Sequence, residues 1–128
     1  MKEPLPSDFD WVQARSECSL QRVFYKLERE AKQNVEQRNR QLDKQPPFIF
    51  SEGDGKEFSV SRGDYSVVFG FEPPAITAKG PRVKLRATLT LNDNAECKLL
   101  VENQELDRWQ FLRRALEGFF FEFKPKSQ

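Results

Sequence analysis

The stretch Val-Lys-Leu-Arg-Ala-Thr-Leu-Thr-Leu, residues 83–91, decides the fold class of this chain. Apolar and polar side chains alternate along its whole length. Because successive side chains of a β-strand point to opposite faces of the sheet, this pattern predicts a strand with one apolar and one polar face. Antiparallel sheets commonly pack one face on a core and leave the other solvated. We therefore expect a sheet that helices cover on one side only.

Further strand patterns lie on both sides of this stretch and are separated by turn residues. Gly53-Asp54-Gly55, Gly63-Asp64 and Asn92-Asp93-Asn94 are typical turn sequences. Pro73-Pro74 is expected to end a strand, and Lys79-Gly80-Pro81 to form a loop. About five strands joined by consecutive hairpins predict a meander. The predicted strands are residues 48–50, 57–62, 65–71, 83–91 and 96–101.

A long charged helix is predicted before the strands, over residues 16–44. Ser16 or Ser19 is the expected N-cap, and Pro46-Pro47 a hard stop. A short helical turn around Trp11 is expected to precede it. The first half of the long helix carries one apolar stripe, whereas residues 33–44 are mostly polar. Two interpretations of that polar half stay open: a solvated end that projects beyond the sheet, or a docking site for another chain.

A second helix is predicted after the strands, starting at Asn103 or Glu105. Gly118 leaves two alternatives, a cap that releases residues 119–123 as a strand or a helix that continues, and we favour the continued helix. The whole pattern predicts one two-layer α+β domain over residues 1–128. Its meandering antiparallel sheet has the N-terminal and C-terminal helices on one face. Residues 1–6 and 124–128 are expected to be flexible tails.

Composition excludes several kinds of chemistry. The chain has no histidine, so Ser-His-Asp and Cys-His catalysis are excluded. It has no nucleotide-binding or catalytic sequence motif, so we predict no catalytic residue, no cofactor and no metal. The net charge of +1 disfavours nucleic acid as a partner. Cys18 and Cys97 are expected to be reduced, with a disulfide as the alternative.

The N-terminus contains no apolar stretch typical of a signal peptide, and no segment of the chain has the length and hydrophobicity of a membrane span. We therefore predict a cytoplasmic protein that does not associate with membranes.

Two groups of residues are candidate binding surfaces. The first is a basic stripe on the open sheet face, suited to phosphate or an acidic partner, although a merely solvated strand face is favoured. Because three consecutive Phe cannot all face inward, we add Phe residues of the C-terminus to this candidate interaction face. The candidate interaction face is Arg82, Lys84, Arg86, Thr88, Thr90, Phe121 and Phe123.

The second group is an apolar pocket between sheet and helices, with ordinary core packing as the favoured alternative. The candidate pocket residues are Phe69, Phe71, Trp109, Phe119 and Phe120.

These patterns predict a non-catalytic interaction module that binds a protein partner or itself, as a homodimer formed through the open sheet face or an edge strand. The alternative is a carrier or sensor of a small apolar ligand bound between sheet and helices. A third interpretation is weak binding of nucleic acid or an acidic partner through the basic face.

Overall fold

A computed structural model describes residues 4–42 and 47–123 of the chain. Within these residues the chain forms three helices and seven strands. The elements, in chain order, are α1 (Trp11–Glu17), α2 (Leu20–Arg40), β1 (Ile49–Glu52), β2 (Glu57–Arg62), β3 (Tyr65–Glu72), β4 (Ala75–Gly80), β5 (Val83–Leu91), β6 (Cys97–Val101), β7 (Gln104–Leu106) and α3 (Arg108–Phe121).

The strands form one antiparallel meander in the order β1-β2-β3-β4-β5-β6-β7. The predicted α+β class is confirmed, with helices before and after the sheet, but the sheet has seven strands instead of about five. β5 is shared between two parts of the sheet. Its first half, up to Ala87, pairs with β4, and its second half, from Thr88, pairs with β6.

Sequence reasoning missed β4 and β7, for two different reasons. β4 lies between Pro73-Pro74 and Pro81, and its residues 75–78 are buried on both faces, so it shows no alternation of polar and apolar residues. Pro73-Pro74 does not end the sheet but forms the turn between β3 and β4. β7 follows a turn at Glu102 and Asn103, whose φ values of 48° and 67° give a tight hairpin.

The predicted long helix is divided in two. The helix breaks at Cys18, and the hydroxyl of Ser19 accepts a hydrogen bond from Arg22 N at 3.2 Å, so Ser19 is the N-cap of α2. The α1 helix includes the predicted turn around Trp11. α2 ends at Arg40; the predicted end at Lys44 lies outside the described residues, as does Pro46.

The C-terminal helix begins later than predicted, at Arg108, because β7 occupies the positions expected for its first turn. Asp107 is its N-cap and forms a capping box with Gln110, whose side-chain oxygen accepts from Asp107 N at 2.7 Å. The helix continues through Gly118 to Phe121, so the predicted continued helix is confirmed.

α2 and α3 pack side by side on the inner face of the sheet. Phe58 stacks on Phe69 with ring centroids 4.6 Å apart, and Phe69 meets Phe111 of α3 edge-on at 6.4 Å. This layer of rings joins strands to helix and places three of the twelve Phe residues at the centre of the core. The largest fully buried side chains are Phe58, Phe69, Phe111, Leu27, Ile76, Leu99, Leu106, Leu116, Val60, Val67 and Cys18.

Cys18 and Cys97 form a disulfide, so the expectation of two reduced cysteines is wrong. The break between α1 and α2 places Cys18 beside β6. Cys97, at the first position of β6, lies on the same face of the sheet as the buried Leu99 and Val101. Cys18 is buried and Cys97 is exposed. The cross-link therefore ties the start of α2 to the far half of the sheet.

Residues 4–6 of the predicted N-terminal tail are exposed, and residues 1–3 and 124–128 lie outside the described residues. In the described part of the chain, no helix combines the length and the apolar character needed to cross a membrane.

Candidate functional site

An open groove runs between α2 and α3 on the side of the helical layer that faces away from the sheet. Its volume is about 460 Å³, within the range of sites that bind small molecules. The lining residues are Glu30, Gln33, Asn34, Gln37, Arg38 and Gln41 from α2 and its C-cap, and Trp109, Leu112, Arg113, Leu116, Glu117, Phe120 and Phe121 from α3.

The two walls of this groove differ in chemistry. The α2 wall is polar and rich in side-chain amides, with residues spaced three and four apart so that they share one helix face. The α3 wall supplies an apolar floor of Leu112, Leu116 and Phe120, each nearly buried. Except for Glu30, the α2 residues belong to the polar half, residues 33–44, whose role the sequence left open, and the structure places them beside α3.

An ion pair closes the groove at the start of α3. Arg108 donates from Nε to Glu30 Oε1 at 2.8 Å and from its terminal nitrogen to Glu30 Oε2 at 3.1 Å. These hydrogen bonds raise the pKa of the Arg108 guanidinium above its ordinary value, against the opposing effect of burial. A bidentate pair fixes the relative position of two helices better than a single contact does.

A second arginine closes the groove at the end of α3. Arg38 Nε donates to the carbonyl oxygen of Phe120 at 3.1 Å, and its guanidinium carbon lies 4.0 Å from the centre of the Phe121 ring. A cation at the carboxyl end of a helix is also favoured by the helix dipole. Arg38 thus holds the last turn of α3 and orients Phe121 at the rim.

The rim of the groove carries exposed aromatic residues at both ends. Trp109 is 60% exposed and Phe121 is 61% exposed, whereas most other aromatic side chains of α3 are buried. Arg113 and Glu117 lie between them on the same helix and pair at 3.1 Å. Large exposed aromatic side chains around an apolar floor are typical of protein-binding surfaces.

The structure separates the residues of the candidate interaction face. Lys84 and Arg86 are exposed on the open sheet face, and Thr88 and Thr90 are half-buried. Arg82 instead lies in the turn before β5 and lines a pocket beside the end of α3. Phe121 and Phe123 lie on the helical side: Phe121 is at the groove, and the half-buried Phe123 packs against Tyr65 at 4.9 Å.

Acidic side chains interrupt the basic stripe. Lys79 of β4 is the register partner of Lys84 on the neighbouring strand β5, and two like charges in this position cost stability. Glu72 lies 3.7 Å from Lys79 and also accepts a hydrogen bond from Thr77 at 2.8 Å. Lys98, on the same face, is bound by Asp107. The open face therefore has mixed charge, although Lys84 and Arg86 pair with no acid among the described residues.

The residues of the candidate apolar pocket also lie in different places. Phe69 is fully buried in the core, and Phe71 packs against Phe24 at 5.7 Å. Trp109 and Phe120 line the groove between α2 and α3. Phe119 lines a separate pocket of about 220 Å³ between α3 and the sheet. The structure brings together two of these five residues, on the outer side of the helices.

Sequence reasoning missed Glu30 and Arg38, which hold the two ends of the groove. Both partners lie more than seventy positions away along the chain. A pattern of neighbouring residues cannot indicate a contact over such a separation. In the sequence, Glu30 and Arg38 therefore look like any other charged residue on a helix surface. The surplus of Phe near the C-terminus was the usable signal, and it correctly indicated one exposed ring at Phe121.

Comparison with known protein families, curated proteins and solved structures finds no match to this chain. Among residues 4–42 and 47–123, no group of three or more His, Cys, Asp or Glu side chains is placed to hold a metal ion.

Proposed function

We propose that this protein is a non-catalytic interaction module whose docking site is the groove between α2 and α3. The observation that carries the proposal is the pair of exposed aromatic residues, Trp109 and Phe121, at the two ends of an apolar floor. The shape suits an amphipathic helix of a protein partner, which would place its apolar side on Leu112, Leu116 and Phe120.

The fixed ends of the groove support this proposal. Glu30–Arg108 and Arg38–Phe120 join α2 to α3 at both ends, about 18 Å apart along α3. A partner would therefore meet a preformed surface and would not bear the free-energy cost of ordering it. Trp is enriched among the residues that contribute most to protein binding, so we expect the affinity to depend most on Trp109.

The structure offers weaker sites for the other two interpretations, a carrier of a small apolar ligand and a binder of nucleic acid or an acidic partner. The alternative places a small apolar ligand between sheet and helices, where the pocket beside Phe119 has a volume of about 220 Å³, below the usual volume of ligand sites. Nucleic acid or an acidic partner would bind at Lys84 and Arg86. These two residues line a surface groove that also contains the acidic residues Glu72 and Glu102. For this reason we move the predicted interaction surface from the open sheet face to the helical side.

The disulfide is relevant to the cellular compartment in which the protein functions. The sequence predicted the cytoplasm, whereas disulfides persist mainly in oxidising compartments. Thiol labelling of Cys97 in freshly lysed cells would distinguish the two locations. A labelled thiol would support the cytoplasm, and an unreactive Cys97 that labels only after reduction would support an oxidising compartment.

The docking proposal is tested with a displayed library of amphipathic helical peptides as long as α3. Trp11→Phe leaves Trp109 as the only indole, whose N–H signal is followed by NMR. We expect selected peptides to shift this signal, and Trp109→Ala to weaken their binding at least tenfold. Lys84→Ala, on the opposite side of the sheet, is the matched control and should bind normally.

The docking proposal is wrong if peptide binding shifts the signals of β5 instead of Trp109. It is equally wrong if Trp109→Ala leaves the affinity of every selected peptide unchanged, or if the library yields no binder.

A further inference from the structure

We infer that the occupant of the α2–α3 groove is a second copy of this chain, with the two α3 helices packed antiparallel across a two-fold axis. This inference rests on the proposed docking function and names its partner. The observation behind it is an exposed row of side chains on α3 that is complementary to itself when its direction is reversed, because ring then faces ring and cation faces anion. The row is Trp109, Arg113, Glu117 and Phe121.

These four residues are spaced four apart, so they form one ridge along the surface of α3. An aromatic ring lies at each end, and a cation and an anion lie between them. All four side chains are exposed: Trp109 by 60%, Arg113 by 62%, Glu117 by 49% and Phe121 by 61%. Arg38 covers one face of the Phe121 ring, yet both Phe121 and Trp109 keep about three-fifths of their surface in solvent, at matching ends of the helix.

A two-fold axis through the middle of the ridge, at the level of Ala115, pairs its members. It places Trp109 of one chain opposite Phe121 of the other, because each is six residues from the middle. It also places Arg113 opposite Glu117. Each Arg would then contact a Glu of its own chain and a Glu of the second chain, which forms an alternating ring of four charges. An isologous interface needs this self-complementarity.

The packing rules for helices accommodate the arrangement. When rows of residues spaced four apart interdigitate, helix axes cross at about 50° and the rows run parallel to each other. The next such row on α3 is Leu112, Leu116 and Phe120, the floor of the groove. The ridge of one chain would therefore lie over the apolar floor of the other, covering the rings that are exposed in the single chain.

The test exchanges charges at the centre of the ridge. R113E makes the ridge acidic and E117R makes it basic, so each variant alone should repel itself. We expect sedimentation velocity to show dimers for the unchanged chain, and at least a tenfold higher dissociation constant for each variant. Mixing R113E with E117R should restore a dimer containing one chain of each, because every acid then faces a base.

R114E is the matched control, since it makes the same change of charge on α3 at an exposed position outside the ridge. It should remain dimeric, and circular dichroism should show all variants folded. A monomeric unchanged chain would overturn the inference, as would a dimer that survives R113E or a mixture that stays monomeric. If the chain is monomeric and helical peptides still shift the Trp109 signal, the docking proposal stands and only the second copy is wrong.

Discussion

The helical side and the open side of the sheet both carry charged residues but use them differently. On the helical side, Glu30 and Arg38 each bind a group on α3 and so define an apolar groove. On the open side, Glu72 and Asp107 pair with neighbouring lysines and leave a surface of mixed charge. The proposed docking site therefore rests on which groups the charged side chains bind, and not on their place in a polar stretch of sequence.

The largest effect is expected from breaking the disulfide that anchors the helical side. Cys18 and Cys97 are 79 residues apart, so the cross-link strongly restricts the unfolded chain. Reduction should lower the free energy of unfolding by roughly 4 kcal/mol, measured by urea denaturation with and without a reductant. Lys84→Ala on the open side should change it by less than about 0.5 kcal/mol. Equal stability of the oxidised and reduced protein would contradict this account.

The next effect concerns Asn39, which holds the start of the sheet against α2. Its side chain accepts from Phe48 N at 2.7 Å and donates to the Phe48 carbonyl oxygen at 2.8 Å. Asn39→Ala leaves both backbone groups without this partner beside a buried ring, so we expect a loss of about 2 kcal/mol in thermal or urea unfolding. Asn34→Ala, at an exposed position on the same helix, is the control. Similar losses for both variants would refute the role of Asn39.

A smaller effect is expected at the groove itself. Arg108→Lys keeps the positive charge but loses the bidentate contact with Glu30. Because both side chains are more than a third exposed, unfolding should become easier by no more than about 1 kcal/mol. The docking affinity should fall more than the stability does, since the end of the groove loosens. Arg22→Lys, exposed at the start of α2, should alter neither quantity.

The smallest effect depends on pH. Burial, and next the charge of Glu52, raise the pKa of Glu28 above its ordinary value. The folded state therefore disfavours the ionised carboxylate, and this cost is present at neutral pH and disappears as the pH falls through the raised pKa. Glu28→Gln should stabilise the protein at pH 7 by less than about 1 kcal/mol and by less still near pH 4. A stabilisation that grows as the pH falls would reverse the sign.

The sequence predicts the layers of this fold better than its details. The alternation in residues 83–91 and the apolar stripe of α2 are local signals. β5 has the predicted bounds, and α2 lies within the predicted helix of residues 16–44 but begins only at Leu20, after the break at Cys18. β4 gives no such signal because both its faces are buried, and β7 is only three residues long. The Cys18–Cys97 pair depends on a helix break that places one cysteine beside a distant strand, which no local pattern encodes.

The candidate site was predictable only in part. The excess of Phe at the C-terminus indicated an exposed ring, and the polar half of α2 was recognised as a docking alternative. Their combination into one groove required knowing that α2 and α3 lie side by side, a contact set by tertiary packing of residues from opposite ends of the chain. The ridge of Trp109, Arg113, Glu117 and Phe121 has a regular four-residue spacing in the sequence. It can be recognised as an exposed row only when the burial of the other α3 residues is known.

The central claim is that Trp109 lies in an interface between two copies of the chain. The most direct measurement is the emission of Trp109 over a dilution series, in a Trp11→Phe background because Trp11 is itself exposed. The account predicts blue-shifted emission at high concentration that moves to the red as the dimer dissociates, with R113E red-shifted throughout. Emission typical of an exposed indole at every concentration would contradict it.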